Sequence, residues 1–228
     1  YTRKRYQDAL DQYRKVADLT PDNMIGHRAI GAMYVALEQS TEAEEAFKKS
    51  IAIEPTYIAY NNLATLYFRR RRYSDVIPVY EKALALNDRD YKVWGNLASA
   101  YYWTGEREKA KEPFERAIKI AEGQRAVNPR DATVLSHLAD YHSMLGKKNE
   151  ALNLIKKALS AGSGDLDVIK RAVDVYEIVG QRDQALAWIE QGLKKGVPPK
   201  EFDSRLALKQ LRTDKRYDQL LIRYRKRP

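Results

Sequence analysis

The chain has 228 residues, 44% of them hydrophobic and 32% charged, which supplies enough apolar side chain for a core and excludes general disorder. Zero cysteines exclude a disulfide scaffold, thiolate metal sites and thiol nucleophiles, and three histidines leave little for metal or acid–base chemistry. The net charge of +10 is local: residues 194–228 hold 12 Lys/Arg and 4 Asp/Glu, which leaves 29 and 27 for residues 1–193. No stretch approaches the roughly 20 apolar residues that span a bilayer. Nor does an apolar run follow Tyr1-Thr2-Arg3-Lys4-Arg5, so no secretory leader is expected and a cytoplasmic location is. The chain lacks a starting Met, and a fragment of something longer is expected.

In chain order, an opening helix is expected near 3–18, carrying Ala9, Tyr13 and Val16 and closed by Pro21. Helix pairs then follow at about 24–38 with 41–53, 57–70 with 73–86, and 91–104 with 107–127. Two more are expected at 131–145 with 148–161 and at 165–179 with 182–195. Within each first helix the apolar residues step by three and four, as Trp94, Leu97, Ala98 and Tyr101 do. The second helices carry a small residue at a recurring place. From Ala9 to Ala43 is 34 residues, to Val76 33 more, then 34 to Ala110, 41 to Ala151 and 34 to Ala185.

The 41-residue interval puts seven extra residues, about two turns or roughly 10 Å, on the helix before Pro129, which should project past its neighbours. Pro113 lies inside that helix and should kink it, since its ring and missing N–H oppose a straight run. After Pro198-Pro199 the period is lost. Phe202, Leu206, Leu208 and Leu211, then Tyr217, Leu220, Leu221 and Tyr224, predict two short amphipathic helices.

The skeleton Trp94-x-x-Leu97-Ala98-x-x-Tyr101…Ala110-x-x-x-Phe114, repeated about every 34 residues, resembles the tetratricopeptide repeat (TPR) family over about residues 1–197. The resemblance implies an all-α fold: a right-handed superhelix of antiparallel helix pairs, or α-solenoid, with a C-terminal helical cap. It divides the chain into an array of a half repeat plus five repeats over 1–197 and basic capping helices over 198–228. The opening helix would then be the second half of a repeat. The pattern Leu208-x-x-Leu211-Arg212-x-Asp214-x-Arg216-Tyr217-x-x-Leu220 resembles the end of TPR arrays at the C-terminus of bacterial signalling kinases and cyclases. Such proteins usually have Pro near the place of Lys215.

For such an array the resemblance implies a concave face, built by the first helix of each pair, that takes a peptide, helix or partner domain. Counting Trp94 as the fourth place of its repeat puts Arg28, Asn61, Asn62, Thr65, Arg69, Lys92, Asn96 and Ser99 on that face. Tyr102, Trp103, His137, Asp140, Arg171 and Asp174 continue it. Asn62 and Asn96 share one place in consecutive repeats and resemble the asparagine ladder of sugar-transferase TPR domains, whose amides pair with a peptide backbone. Arg28, Asn62 and Lys92 also fit the carboxylate clamp of TPR co-chaperones, but Ala32 and Asn96 stand where that clamp needs an Asn and a basic residue.

Tyr102 and Trp103 offer an aromatic anchor, or else pack against the next repeat. The run Arg69-Arg70-Arg71-Arg72 falls at a turn, as a docking place for an anion or as a solvated corner. His137 and Asp140 stand one helical turn apart, whereas His142 occupies a place that other copies give to Tyr and should be buried. Ala161-Gly162-Ser163-Gly164-Asp165 lacks the lysine and strand of a phosphate loop. No enzyme, metal or cofactor is therefore expected, and the expected partner is a protein or peptide. Two alternatives stay open. The basic tail, with Lys209, Arg212, Lys215, Arg216, Arg223, Arg225, Lys226 and Arg227, could meet nucleic acid or an anionic membrane in a salt-dependent way. Self-association through an uncovered terminal repeat face is the other.

Overall fold

A computed structural model describes residues 2–225. Lys226 and Arg227 of the basic tail, and the side chain of Arg225, lie outside the described residues. The described chain is all-α, with thirteen α-helices and two short 3-10 turns. Helix α1 runs Thr2–Leu19, α2 Met24–Ala36, α3 Ser40–Ile53, α4 Tyr57–Arg69, α5 Tyr73–Leu86, α6 Tyr91–Trp103 and α7 Arg107–Val127. Helices α8 Ala132–Met144, α9 Lys148–Ala161, α10 Leu166–Ile178 and α11 Arg182–Lys194 complete the periodic part. The chain divides into two compact units, Tyr1–Arg116 and Ala117–Pro228.

The two helices of a pair start by different local chemistry. Every first helix opens on a side chain that accepts from its free backbone N–H groups: Asn23, Thr56, Asp90, Asp131 and Asp165. The second helices α3, α5, α9 and α11 have no such cap. They follow tight turns that pass through the left-handed region, at Glu38, Arg71, Gly146 and Gly180. Glycine fits that backbone without strain, while Glu38 and Arg71 hold it with a Cβ present.

Packing within each unit rests on small residues opposite large ones. Ala43, Ala64, Ala83 and Ala98 are fully buried in the first unit, and Ala139, Ala151, Ala158 and Ala172 in the second. Phe47 of α3 lies so close to α2 that a Cβ on Gly31 would meet its ring at 2.5 Å. Tyr80 and Phe114 fill the corresponding places further along, both fully buried.

Helix α7 is one uninterrupted helix through Pro113, which is buried, and the division between the units falls just beyond it, after Arg116. Its added turns end in Val127, which is 88% exposed. The region after Pro198 departs from the two expected helices. It forms a five-residue helix α12, Pro199–Asp203, then 3-10 turns at Leu206–Leu208 and Leu211–Thr213, then α13, Lys215–Arg225. Leu206 and Leu208, two apart, fall on different sides of a helix, and in the broken segment Leu208 and Leu211 are fully buried while Leu206 is half-buried. Phe202 of α12 packs on α10 and α11, where a Cβ on Gly192 would lie 2.8 Å from its ring.

Gly31→Ala gains about 1 kcal/mol of helix propensity but forces the buried Phe47 ring to move, at about 1–3 kcal/mol. A net loss of stability is expected, read as a lower denaturant midpoint at unchanged slope.

Candidate inner-face binding site

In the first unit α2, α4 and α6 are the inner helices of the successive pairs, and each packs on the next. Asn61, Asn62 and Asn96 are half-buried, Thr65, Arg69 and Lys92 are exposed, and Arg28 is half-buried. Beneath them the fully buried Tyr80 hydroxyl lies against Thr65 and Asn96 without a hydrogen bond of ordinary geometry to either. Burial pushes its pKa up to about 12. Tyr102 and Trp103 meet edge to face, with ring centroids 5.0 Å apart, and the Arg107 guanidinium lies 4.9 Å from the Tyr102 ring. Trp103 is half-buried, so it both packs and presents an edge.

Ser99 does not present its hydroxyl to the face. It is buried and donates to the Gly95 carbonyl at 2.8 Å, one turn back in its own helix. The four-arginine turn is also largely engaged. Arg70 donates to the Ser40 hydroxyl, while Arg72 pairs with Glu44 and Asp75 and stacks 4.2 Å from the Tyr67 ring. Arg69, on the inner helix, keeps its exposure.

The second unit treats its inner face differently. Arg171 of α10 donates to the Ser136 hydroxyl of α8 at 3.0 Å. The single Nε–H of Arg205 is shared between the two Asp174 carboxylate oxygens, at 2.7 and 2.8 Å, and a terminal nitrogen of Arg205 donates to Asp174 as well. Lys170 bridges Asp167 at 2.7 Å and Glu201 at 3.1 Å. Two of the cap's side chains, Glu201 and Arg205, thus occupy the polar groups of α10. No periodic pattern foretold that pairing, because its partners come from the segment where the period is lost.

Asp140 is the unsatisfied member of this cluster. As a residue it is half-exposed, yet its Oδ1 has no solvent access and no hydrogen-bond partner. Burial raises its pKa to about 6, against the opposing pull of Arg171, with Asp174 adding repulsion. The two histidines of α8 part company. His137 Nδ1 lies 3.3 Å from the Tyr141 hydroxyl, while half-buried His142 has an unpartnered Nδ1. Burial, and then Lys147, depress the His142 pKa.

The sign for Asp140 follows from its raised value. Between the ordinary 3.8 and about 6 the folded chain holds a proton that the unfolded chain has lost, so stability falls as pH rises through that window. Above it the ionised group costs at most about 3 kcal/mol. Asp140→Asn should therefore raise the melting temperature at pH 8, with the gain shrinking towards pH 4. A gain independent of pH would show that ionisation is not the cause.

Models of the tetratricopeptide repeat match residues 1–58, 59–90 and 89–162. No curated protein matches the sequence. Among solved structures, a thermophilic TPR protein of Thermus thermophilus is 22% identical, with a TM-score of 0.61 over 87% of this chain and 99% of that one. A tetratricopeptide repeat protein of Parabacteroides merdae reaches 0.66 at 15% identity, over 96% and 86%. YrrB, described as a TPR protein with an unusual peptide-binding site, reaches 0.54 at 16% identity, over 82% and 94%. These likenesses concern the fold. With repeat matches running unbroken from residue 1 to residue 162 and helix pairs stacked in both units, the chain belongs to the tetratricopeptide repeat family.

Proposed function

We propose that this chain is a non-catalytic interaction module that holds a peptide or protein segment along its inner helices. The observation that carries the reading is the pair Asn62 and Asn96, at equivalent places on the packed helices α4 and α6, beside the exposed Thr65 and the Tyr102–Trp103 pair. An amide both donates and accepts, so two in register can pair with an extended backbone whatever its side chains. Asp140, Arg171 and Asp174 belong to the second unit, where the last two are engaged in hydrogen bonds. Residues 198–228 serve as the cap of the 1–197 array, a reading supported by the burial of Phe202, Leu208, Leu211, Tyr217 and Leu221. The ending Leu208…Leu220 supports placement at the C-terminus of a cytoplasmic signalling protein.

Binding of nucleic acid or membrane by the tail finds less support. Arg205 pairs with Asp174, Arg212 donates to the Asp203 carbonyl, Arg216 bridges Asp183 and Asp214, and Arg223 lies 3.7 Å from Glu190. The ion-paired Arg205, Arg216 and Arg223 have part of their charge offset, whereas Arg212, bonded to a carbonyl, keeps its own.

Asn62→Ala combined with Asn96→Ala should weaken a captured partner about tenfold or more while the melting curve stays in place. A partner held at full strength by the double variant would remove the asparagine pair from the site. Self-association is a second reading, supported by Tyr6, Tyr13 and Val16 exposed along one side of α1. Sedimentation should then show a dimer that Tyr13→Glu dissociates, and a monomer at all concentrations discards it.

A further inference from the structure

The helices of the first unit end at two edges, and the edges differ. At one of them α1, α3 and α5 end and α2, α4 and α6 begin. Two hydrogen bonds join its corners. Ser50, in the last turn of α3, donates to the Met24 carbonyl at 2.9 Å, and the Tyr57 hydroxyl at the start of α4 donates to Asp90 at 2.7 Å. Large aliphatic side chains stand exposed along this edge: Leu19, Ile25, Ile58 and Leu86, from 49% at Ile58 to 83% at Leu19. Leu19 and Leu86 hold the same place, ten residues after Ala9 and Val76, and Ile25 and Ile58 are each the second residue of their helix. The opposite edge, at 36–40 and 69–73, buries Leu37 and carries the exposed Arg69, Arg70, Arg71 and Arg72 instead.

The charge of the apolar edge is one-sided. Residues 16–27 and 50–60, its first two corners, contain Asp18, Asp22 and Glu54 and no Lys or Arg. All three acids are exposed, and among the described residues their side chains have no ion pair or hydrogen bond. The third corner is mixed, with Arg89 and Lys92 beside Asp88 and the engaged cap Asp90. A solvated corner has no need of large aliphatics, and an apolar patch rimmed by charge is the ordinary mark of an interface. We propose that this edge docks a basic amphipathic helix of a partner protein. The aliphatic stripe of that helix covers Leu19, Ile25, Ile58 and Leu86, and its flanking Lys and Arg meet Asp18, Asp22 and Glu54. The spacing selects a helix over a strand. Helices α2 and α4 touch, so Ile25 and Ile58 stand about 10 Å apart. About seven helical residues advance that far and return to the same face. About three extended residues cover the same distance but turn the side chain to the other face. Unpaired carboxylates repel an anionic bilayer, which leaves a protein as the occupant. The surface lies at the helix ends rather than along Asn62 and Asn96, so it stands independently of the inner-face reading.

The test uses the full chain and fluorescence anisotropy with a labelled peptide of about five helical turns, its Leu residues in one stripe and the rest Lys and Ala. Beside it stand a Glu-for-Lys counterpart and a shuffled peptide of the same composition with the stripe dispersed. The striped Lys peptide should bind at least about tenfold more tightly than either. Ile25→Ser with Ile58→Ser should weaken it about tenfold or more. Asp22→Lys with Glu54→Lys should abolish the preference for Lys over Glu. Glu42→Lys with Glu45→Lys, the same change of charge at exposed places of α3, should leave that preference in place. Equal loss in both acid pairs reduces the attraction to overall charge and overturns the proposal, as does a shuffled peptide that binds like the striped one. If Asn62→Ala with Asn96→Ala weakens binding while the Ile25 and Ile58 variant does not, the peptide lies on the inner face and the edge is overturned while the inner-face reading stands. An oligomer in sedimentation that Ile25→Ser with Ile58→Ser dissociates gives the edge to a second copy and overturns the proposal too. So does no binding of the striped Lys peptide.

Discussion

Close approach of helices through small residues is the constraint on which this structure depends. One helix pair has two apolar faces and can bury only one against itself, so each pair must offer the next a surface of complementary shape. Alanine and glycine at the contact admit the aromatic of the partner helix, as Gly31 admits Phe47 and Gly192 admits Phe202. With this packing satisfied by side chains at three- and four-residue spacing, the remaining places on the inner helices are released from structural duty. Their composition can then differ between units without disturbing the fold.

That freedom is used differently along the chain. In the first unit the inner helices leave Thr65, Arg69 and Lys92 exposed. In the second unit Asp174, Lys170 and Arg171 are drawn into hydrogen bonds and ion pairs, two of them with the segment after Pro198. Breaking such half-buried pairs would leave charges poorly solvated, so they hold the cap segment on α10. Equivalent helical places thus stay exposed in one unit and are engaged by the segment after Pro198 in the other.

Much of the fold was legible in the sequence because its signals repeat. Each first helix is announced by an Asn, Thr or Asp cap before a three-four apolar step, and the observed helix ends lie within two residues of those expected. The tail was less legible. Its leucines satisfy no single period, and 3-10 turns form where burial of Leu208 and Leu211 outweighs regular hydrogen bonding. The candidate site was read by place, and place is blind to rotamer and to distant partners. Ser99 occupies a groove place but turns its hydroxyl to Gly95, and Asp174 meets Arg205 31 residues away. The buried Asp140 oxygen likewise needed coordinates, since only the packing around it removes water.

The most direct measurement is residue-resolved NMR of the isotope-labelled chain during titration with a captured partner peptide. Shifts of the side-chain amides of Asn62 and Asn96, with residues 209–223 unmoved, are what an inner-face site predicts. Shifts gathered on residues 209–223, with those amides silent, would contradict it.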